Sequence, residues 1–227
     1  RYWMHNGFVN VNQIKMSKSK GNFFLVRNLA ELYPYEIIRY YILQSHYRMP
    51  INFTLTDDKD EDNPLDAAVT SYRRIRTSLQ TLDIVAGSVA ESGDKEVDRT
   101  LEEAIADCRR EWTEAMEDDL NTADAIAAIF DLVRAANSAA ASEQASGALL
   151  RNARETIIEL CHVLGLKPDE QEELIIPAQV KKLVDQRTQA KQERNFAEAD
   201  RLRDEVEKLG FRLEDTAQGV QIHLLED

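Results

Sequence analysis

From residue 64 onward the apolar positions recur at threes and fours. Leu65, Val69, Tyr72, Ile75, Leu79 and Leu82 fall on one side of a helix predicted over 64–86. A loop follows at 87–94. A second helix is predicted over 97–117, with Leu101, Ile105, Cys108, Trp112 and Met116 along its face. The string Asp118-Asp119-Leu120-Asn121-Thr122 breaks that helix and supplies the cap of a third over 123–140. A fourth is predicted over 148–164 and closes at Gly165. Four amphipathic helices joined by short loops make a bundle. Trp112, Met116 and Phe130 lie on apolar stripes and read as core.

The pattern changes on both sides of the bundle. Residues 7–14 alternate apolar and polar positions, which predicts one or two short strands leading into a lysine-rich loop. Asn28 is placed to cap a short helix over 29–33, and Pro34 opens another over 35–47. That helix carries Ile37, Ile38, Tyr41, Ile42 and Ser45 on one side, with His46 and Arg48 at its end, where positive charge suits the helix dipole. Pro50 ends it and 51–54 is extended. Residues 57–63 are acidic and read as a junction; 167–177, with two prolines and four acids, read as a linker. Helices over 178–194 and 196–209, broken at Asn195 and stopped by Gly210, precede a β-hairpin within 211–224. The chain is therefore mainly α with a small C-terminal hairpin.

At 227 residues, 43% of them hydrophobic and 30% charged, the chain has the make-up of a globular protein with room for two or three small domains. It contains no apolar run long enough to cross a bilayer, and its start does not read as a signal peptide. A cytoplasmic location without membrane partners is expected. Cys108 and Cys161 lack C-x-x-C spacing and read as buried thiols, not as a disulfide or zinc site. The chain opens at Arg1, mid-pattern, and reads as a piece of a longer protein. Net charge is −13, unevenly spread: residues 1–50 carry seven Lys/Arg against two acids, and 51–177 carry 12 against 28. An acidic protein is a poor non-specific polyanion binder. Any nucleic acid is expected to touch the two ends of the chain and not the acidic middle.

The densest chemistry sits in Lys15-Met16-Ser17-Lys18-Ser19, continued by Lys20-Gly21-Asn22-Phe23-Phe24. Gly21 and Asn22 tolerate positive φ, so the loop can turn sharply. Lysines on such a loop suit a polyphosphate, each being a point charge with three rotatable donors. Glu117, Asp118, Asp119 and Asn121 could be mistaken for a metal cluster, but their place at a helix break argues for capping.

The uninterrupted five-residue lysine string resembles the second signature of class I aminoacyl-tRNA synthetases. Further landmarks narrow the resemblance to the C-terminal half of the cysteinyl-tRNA synthetase family. They are Tyr2-Trp-Met-His-Asn-Gly7, Ser45-His-Tyr-Arg48 with Asn52-Phe53, Ala115-Met-Glu-Asp-Asp-Leu-Asn-Thr122, Leu132 to Asn137, Phe196-Ala-Glu-Ala-Asp200, and Leu213-Glu-Asp-Thr216 with Gly219. The resemblance implies four segments: the edge of a Rossmann-type catalytic domain with a following stem-contact fold over 1–54, a tRNA-binding bundle over 55–166, a linker over 167–177, and a small α+β anticodon-binding domain over 178–227.

It also implies chemistry. The family activates cysteine with ATP and Mg2+ and transfers it to tRNA(Cys); Lys18 is expected to bind ATP directly, with Lys15 supporting it. Lys191, Phe196, Asp200 and Asp215 match positions that contact anticodon bases, although Lys191 stands where Arg is common and Phe196 where Trp is common. Lysine keeps the charge but loses the bidentate fork. His5 could lie near an adenylate but reads equally as a strand-end residue. The family's His-x-Gly-His motif and its zinc ligands are absent from this chain, so no metal is expected on it and no aminoacylation by it alone. A monomer is expected. The rival from another class is a stand-alone, non-catalytic RNA-binding module.

Overall fold

The computed structural model describes residues 3–54, 63–170, 178–192, 195–208, 210–216 and 219–224. Residues 171–177 of the expected linker and all but Asn63 of the expected acidic junction lie outside the described residues, as do Arg194 and Leu209. In chain order the elements are β1 (Val9–Val11), β2 (Ile14–Lys15), α1 (Val26–Leu29), α2 (Tyr35–Leu43), β3 (Ile51–Phe53), α3 (Pro64–Ser88), α4 (Lys95–Glu117), α5 (Thr122–Ser142), α6 (Gly147–Val163), α7 (Ala178–Gln192), α8 (Phe196–Lys208), β4 (Phe211–Thr216) and β5 (Gly219–Leu224). They divide into two compact units, Arg1–Phe24 with Tyr35–Gln171, and Leu25–Pro34 with Glu172–Asp227.

In the first unit the sheet order is β2-β1-β3. β1 runs antiparallel to β2 and parallel to β3, in register from Val9↔Ile51 to Val11↔Phe53. A parallel pair cannot be closed by a tight turn, so the chain between β1 and β3 crosses over through α2. The β1–β2 turn is made by Asn12 and Gln13, both at positive φ (49° and 65°), the pairing that suits the twist of a two-residue hairpin.

Each bundle helix starts on a side-chain cap. Asn63 accepts from the Leu65 N–H, Asp94 from those of Glu96 and Val97, Asn121 from that of Asp124, and Ser146 from that of Leu149. Such caps satisfy otherwise orphaned donors, each contributing about 1 kcal/mol. α3 packs on α5 and α6, and α4 packs on the same two helices. The apolar stripes meet inside: Tyr72, Ile75, Leu82, Leu101, Ile129, Leu150 and Ile157 are all fully buried. α5 adds Ala125, Ala128, Ala136, Ala139 and Ala140, small enough to let neighbouring backbones close in.

Three expectations about local structure need correction. The first short helix is Val26–Leu29, not 29–33, and Asn28 lies inside it with its Oδ1 accepting from the Leu25 N–H (3.3 Å). α2 stops at Leu43, four residues early, because tertiary partners claim its end: the Thr122 hydroxyl donates to the Leu43 carbonyl (2.8 Å) and the Gly7 N–H to the Tyr47 carbonyl (2.7 Å). Its deepest residue is Tyr40, fully buried, while Ile42 is 41% exposed. Trp112, Met116 and Phe130 are only half-buried. They sit at the margin of the core.

The second unit contains α1 and, further along the chain, two packed helices and a hairpin. α7 lies against α8, and β4 pairs antiparallel with β5 from Phe211↔Leu224 to Thr216↔Gly219. Val180, Val206, Phe211 and Leu213 form its core.

Candidate functional site

The lysine loop is held by one amide. Asn22 accepts from the Ser17 N–H with its Oδ1 (2.9 Å) and directs its Nδ2 to the carbonyls of Ile14 (3.4 Å) and Lys15 (3.3 Å). The string is thereby pinched at both ends. Between them Lys18–Lys20 makes a single 3-10 turn, closed where the Gly21 N–H donates to the Lys18 carbonyl (3.3 Å) with Gly21 at φ 70°. Only Gly21 of the Gly-Asn pair takes positive φ. Asn22 was expected as a turn residue and serves as a clamp, a role its side chain allows because it can donate and accept at once.

Lys15, Lys18 and Lys20 all face solvent, and no residue of the 3-10 turn is buried. Two of the ammoniums rest on aromatic faces: Lys15 Nζ lies 3.6 Å from the Phe8 ring centroid, and Lys18 Nζ lies 5.4 Å from that of Phe23. An exposed cation–π contact is worth about 0.5–1 kcal/mol, so an arriving polyanion can outcompete it. The hydroxyls of Ser17 and Ser19 bond to each other at 2.7 Å. Phe24 anchors the loop's exit edge-on against the buried Phe53 ring, with centroids 5.3 Å apart.

Two polar junctions fix α2 and the segment after it to the bundle, and the sequence pattern missed both. Glu36, at the start of α2, accepts from the Tyr72 hydroxyl, from Arg76 Nη2 (3.0 Å) and from the Lys167 N–H. Burial and then the hydrogen bond to Glu36 push the Tyr72 hydroxyl far above its usual range, so it stays a donor. At the opposite end Asp119 accepts from the Tyr47 hydroxyl (2.8 Å) and pairs with Arg48 Nη2 (2.8 Å), with His46 Nε2 3.7 Å away. His46 and Arg48 therefore answer a carboxylate on the bundle, not a helix dipole. Asn121 caps as expected, whereas Asp119 spends its side chain on the clasp and sits at φ 57°. The signal was available in Ser45–Arg48 and Asp118–Thr122 as separate strings; their meeting is a tertiary event. His5 is exposed.

In the second unit Asn195 turns the chain between helices. Its Oδ1 accepts from the Glu198 N–H (3.3 Å), and its own N–H donates to the Ala190 carbonyl (2.8 Å). Phe196 then opens α8 with its ring 63% exposed, and the exposed Asp200 follows one turn later on the same face. Lys191 is half-buried in the last turn of α7. Asp215 lies in β4 opposite Val220 by backbone pairing; its side chain falls outside the described residues.

No group of three His, Cys, Asp or Glu residues that could hold a metal occurs among the described residues. Burial pushes the Cys108 and Cys161 thiols up to about 12, so both stay protonated at neutral pH. Among the described residues no set of side chains fits the zinc of the family, whose ligands the resemblance places outside this chain.

Residues 1–61 match the family model described as the class I (C) tRNA synthetase catalytic domain, and residues 111–167 match the DALR domain. The edge sheet carrying the clamped lysine string lies in the first of these matched segments, and the second runs from the later part of α4 through α6. A solved structure with the same fold is the agnB2 LeuRS of Agrobacterium radiobacter K84, in a ternary complex with tRNA and LeuAMS; its TM-score is 0.57 at 21% identity, over 76% of this chain and 22% of that one.

Whole-chain similarity is more specific: the chain is homologous along its entire length to cysteine–tRNA ligases. It is 40% identical to that of Caldicellulosiruptor saccharolyticus over 227 residues, covering 100% of this chain and 46% of the relative. Identity to the Shouchella clausii protein is 39% and to the Lachnospira eligens protein 38%, each over 97% of this chain and 45% of the relative. The chain spans about half the length of the curated relatives it matches.

Proposed function

We propose that this chain is the portion of a cysteine–tRNA ligase that supplies the ATP lysines and holds tRNA(Cys). In the reaction of such a ligase the cysteine carboxylate attacks the α-phosphate of ATP, forming cysteinyl adenylate and releasing pyrophosphate. A ribose hydroxyl at the tRNA 3′ end then attacks the acyl carbon and AMP departs. Lys18, with Lys15 behind it, leaves its aromatic rest and closes on the triphosphate as charge redistributes. A contact that strengthens only then lowers the barrier without deepening the ground state. Mg2+ bound with ATP shares that charge, and zinc belongs to the part of the ligase outside this chain. The assignment goes with a cytoplasmic monomer whose partners are tRNA, ATP and cysteine.

The observation that carries the reading is the complete lysine string, clamped by Asn22 and exposed, in a chain homologous to cysteine–tRNA ligases from end to end. The second unit gives it an RNA reader. Phe196 offers an open ring for stacking an unstacked base, Asp200 and Asp215 offer acceptors for exocyclic amines, and Lys191 offers charge. The test is binding of tRNA carrying the GCA anticodon, against the same tRNA with that anticodon altered, at one fixed salt concentration. Each lost base contact is expected to weaken binding by ~1–3 kcal/mol. Equal affinity for the two tRNAs would remove the anticodon-reading role.

A further inference from the structure

Among the described residues, positive φ falls on neighbouring residues in two places. Asn12 and Gln13 adopt it in a hairpin turn, where the twist of the strands requires it. Asp119 and Leu120 adopt it at the break between α4 and α5, each at φ 57°, a conformation that Asp tolerates and that is costly for a leucine. Leu120 is 44% exposed, so burial does not offset that cost. The break is fixed by its own backbone: the Leu120 N–H donates to the Met116 carbonyl (3.2 Å) and the Asn121 N–H to that of Ala115 (3.0 Å). Backbone strain held in this way points to a task for the side chain it aims. That side chain is Asp119, which takes the Tyr47 hydroxyl on one oxygen and Arg48 Nη2 on the other, both at 2.8 Å.

Tyr47 belongs to the segment between α2 and β3, and that segment is gripped from both sides. On the bundle side stand the Asp119 bonds and the Thr122 hydroxyl, which donates to the Leu43 carbonyl (2.8 Å). On the other side the Gly7 N–H donates to the Tyr47 carbonyl (2.7 Å), and the Ile51 N–H donates to the Phe8 carbonyl (2.9 Å). Gly7 permits this approach, since a Cβ there would lie 2.2 Å from the Met49 carbonyl oxygen. Phe8 follows, with the Lys15 ammonium 3.6 Å from its ring centroid, and the β1–β2 pairing carries the lysine string. The links therefore run from Asp119 to Tyr47, from Tyr47 to the Gly7–Phe8 backbone, and from the Phe8 ring to Lys15. Each is a hydrogen bond, a stretch of chain or a direct ring contact, and all lie within the first unit.

We propose that Asp119 is a positioning residue for Lys15 in the ATP step, acting through Tyr47 and the Phe8 ring. The proposal rests on the ligase reading above, which gives the lysine its task. A loop with no buried residue in its turn takes its place from the strands that carry it, and these strands take theirs from the Asp119 clasp. A misplacement of about 1 Å can slow a reaction ~100-fold, so a clasp far from the phosphates still governs the rate. Asp119 itself touches neither ATP nor RNA in this role. Its exposed neighbour Asp118 takes no part in the clasp and has no such path to the loop.

The chain tests the link, and the whole ligase tests its use. In the chain, NMR follows the Lys15 ε-protons, which the Phe8 ring shifts upfield, in the unmutated protein, D119A, D119N and D118A. D119A is expected to move those protons toward the position of a free lysine and to quicken exchange of the Gly7 amide about 10-fold. D118A leaves both unchanged. D119N, which keeps an oxygen for Tyr47 and loses the charge facing Arg48, falls between them. In the ligase, cysteine-dependent ATP–pyrophosphate exchange is measured for the unmutated enzyme, D119A, K15A and D119A/K15A. D119A is expected to lower kcat about 10-fold with the KM for cysteine unchanged, and to cost less than about 3-fold once Lys15 is gone. A merely structural role would give the same loss in both backgrounds, and that result would overturn the proposal, as would unmoved Lys15 protons in D119A. An unmutated enzyme without cysteine-dependent exchange would remove the ligase reading, and the ATP role with it, while the proton shifts still decide the link from Asp119 to Lys15.

Discussion

The lysine loop and the α7–α8 turn both hold candidate binding side chains in solvent, but they are built on opposite principles. The loop has no buried residue in its 3-10 turn and hangs on the three hydrogen bonds of Asn22 and two aromatic rests. The α7–α8 turn presents Phe196 and Asp200 from a helix whose Leu202 and Val206 are buried, on a frame that includes Phe211 and Leu213. Few apolar contacts and weak, exposed polar ones make a segment that opens locally at low cost; a helix seated in a core does not. The difference suits the proposed tasks. A lysine that strengthens its grip during phosphoryl chemistry must travel, whereas a base reader must already stand at the right spacing.

The largest expected effect breaks the rigid half. Phe211→Ala removes a core ring from a unit with few others and should cost about 3 kcal/mol. Chemical denaturation would show an early transition for the second unit, and anticodon discrimination would go with it. The loop, lying in the other unit, should keep its amide protection; its loss would mean that the two sites share one cooperative structure. Asn22→Ala is the matching cut in the soft half. It strips three hydrogen bonds from the loop backbone and should cost about 1 kcal/mol locally. Hydrogen exchange at the Ser17 amide would quicken several-fold while the global melt stays put. A fall in the melting temperature of several degrees would show that the clamp supports the whole unit.

Acid should separate the halves more gently. The Arg201 guanidinium bonded to Glu198 holds that carboxyl below its ordinary range. A depressed carboxylate contributes stability that is present above its unfolded pKa, near 4.3, and is lost as pH falls through the lowered folded value. Below about pH 4 the start of α8 should therefore loosen slightly, while the loop, which has no carboxylate between residues 15 and 24, feels no such change. Amide chemical shifts followed by NMR from pH 6 to pH 3 would resolve it. Movement of Ser17–Gly21 in step with α8 would contradict the separation. The smallest change concerns Cys108 and Cys161, whose thiols burial pushes up to about 12. Neither should react with a thiol reagent at pH 8 until the bundle unfolds; prompt labelling of either would place a path to solvent in that core.

The elements legible in the sequence were those set by short-range periodicity. The four bundle helices, the α7–α8 pair and the terminal hairpin follow from apolar spacing and cap residues, which act within a turn or two of chain. The lysine string was equally legible, because the chemistry of a polyphosphate loop resides in adjacent residues. What the pattern could not give was the end of α2. Its periodicity runs on to residue 47, but carbonyl and side-chain bonds from Thr122, Gly7 and Asp119 claim the last turn.

The amino-acid sequence alone thus determined where helices run, where the lysines stand and which family the chain resembles, since each depends on neighbours a few positions apart. Only the tertiary structure decided that Asn22 clamps the loop across seven and eight residues, that Glu36 and Asp119 lock α2 and the segment after it to the bundle, and that arginines on α3 and α5 face one groove. The physical reason is that a polar side chain is satisfied by whatever partner the fold brings within 3 Å, and no local pattern encodes a partner from 40 or 80 residues away.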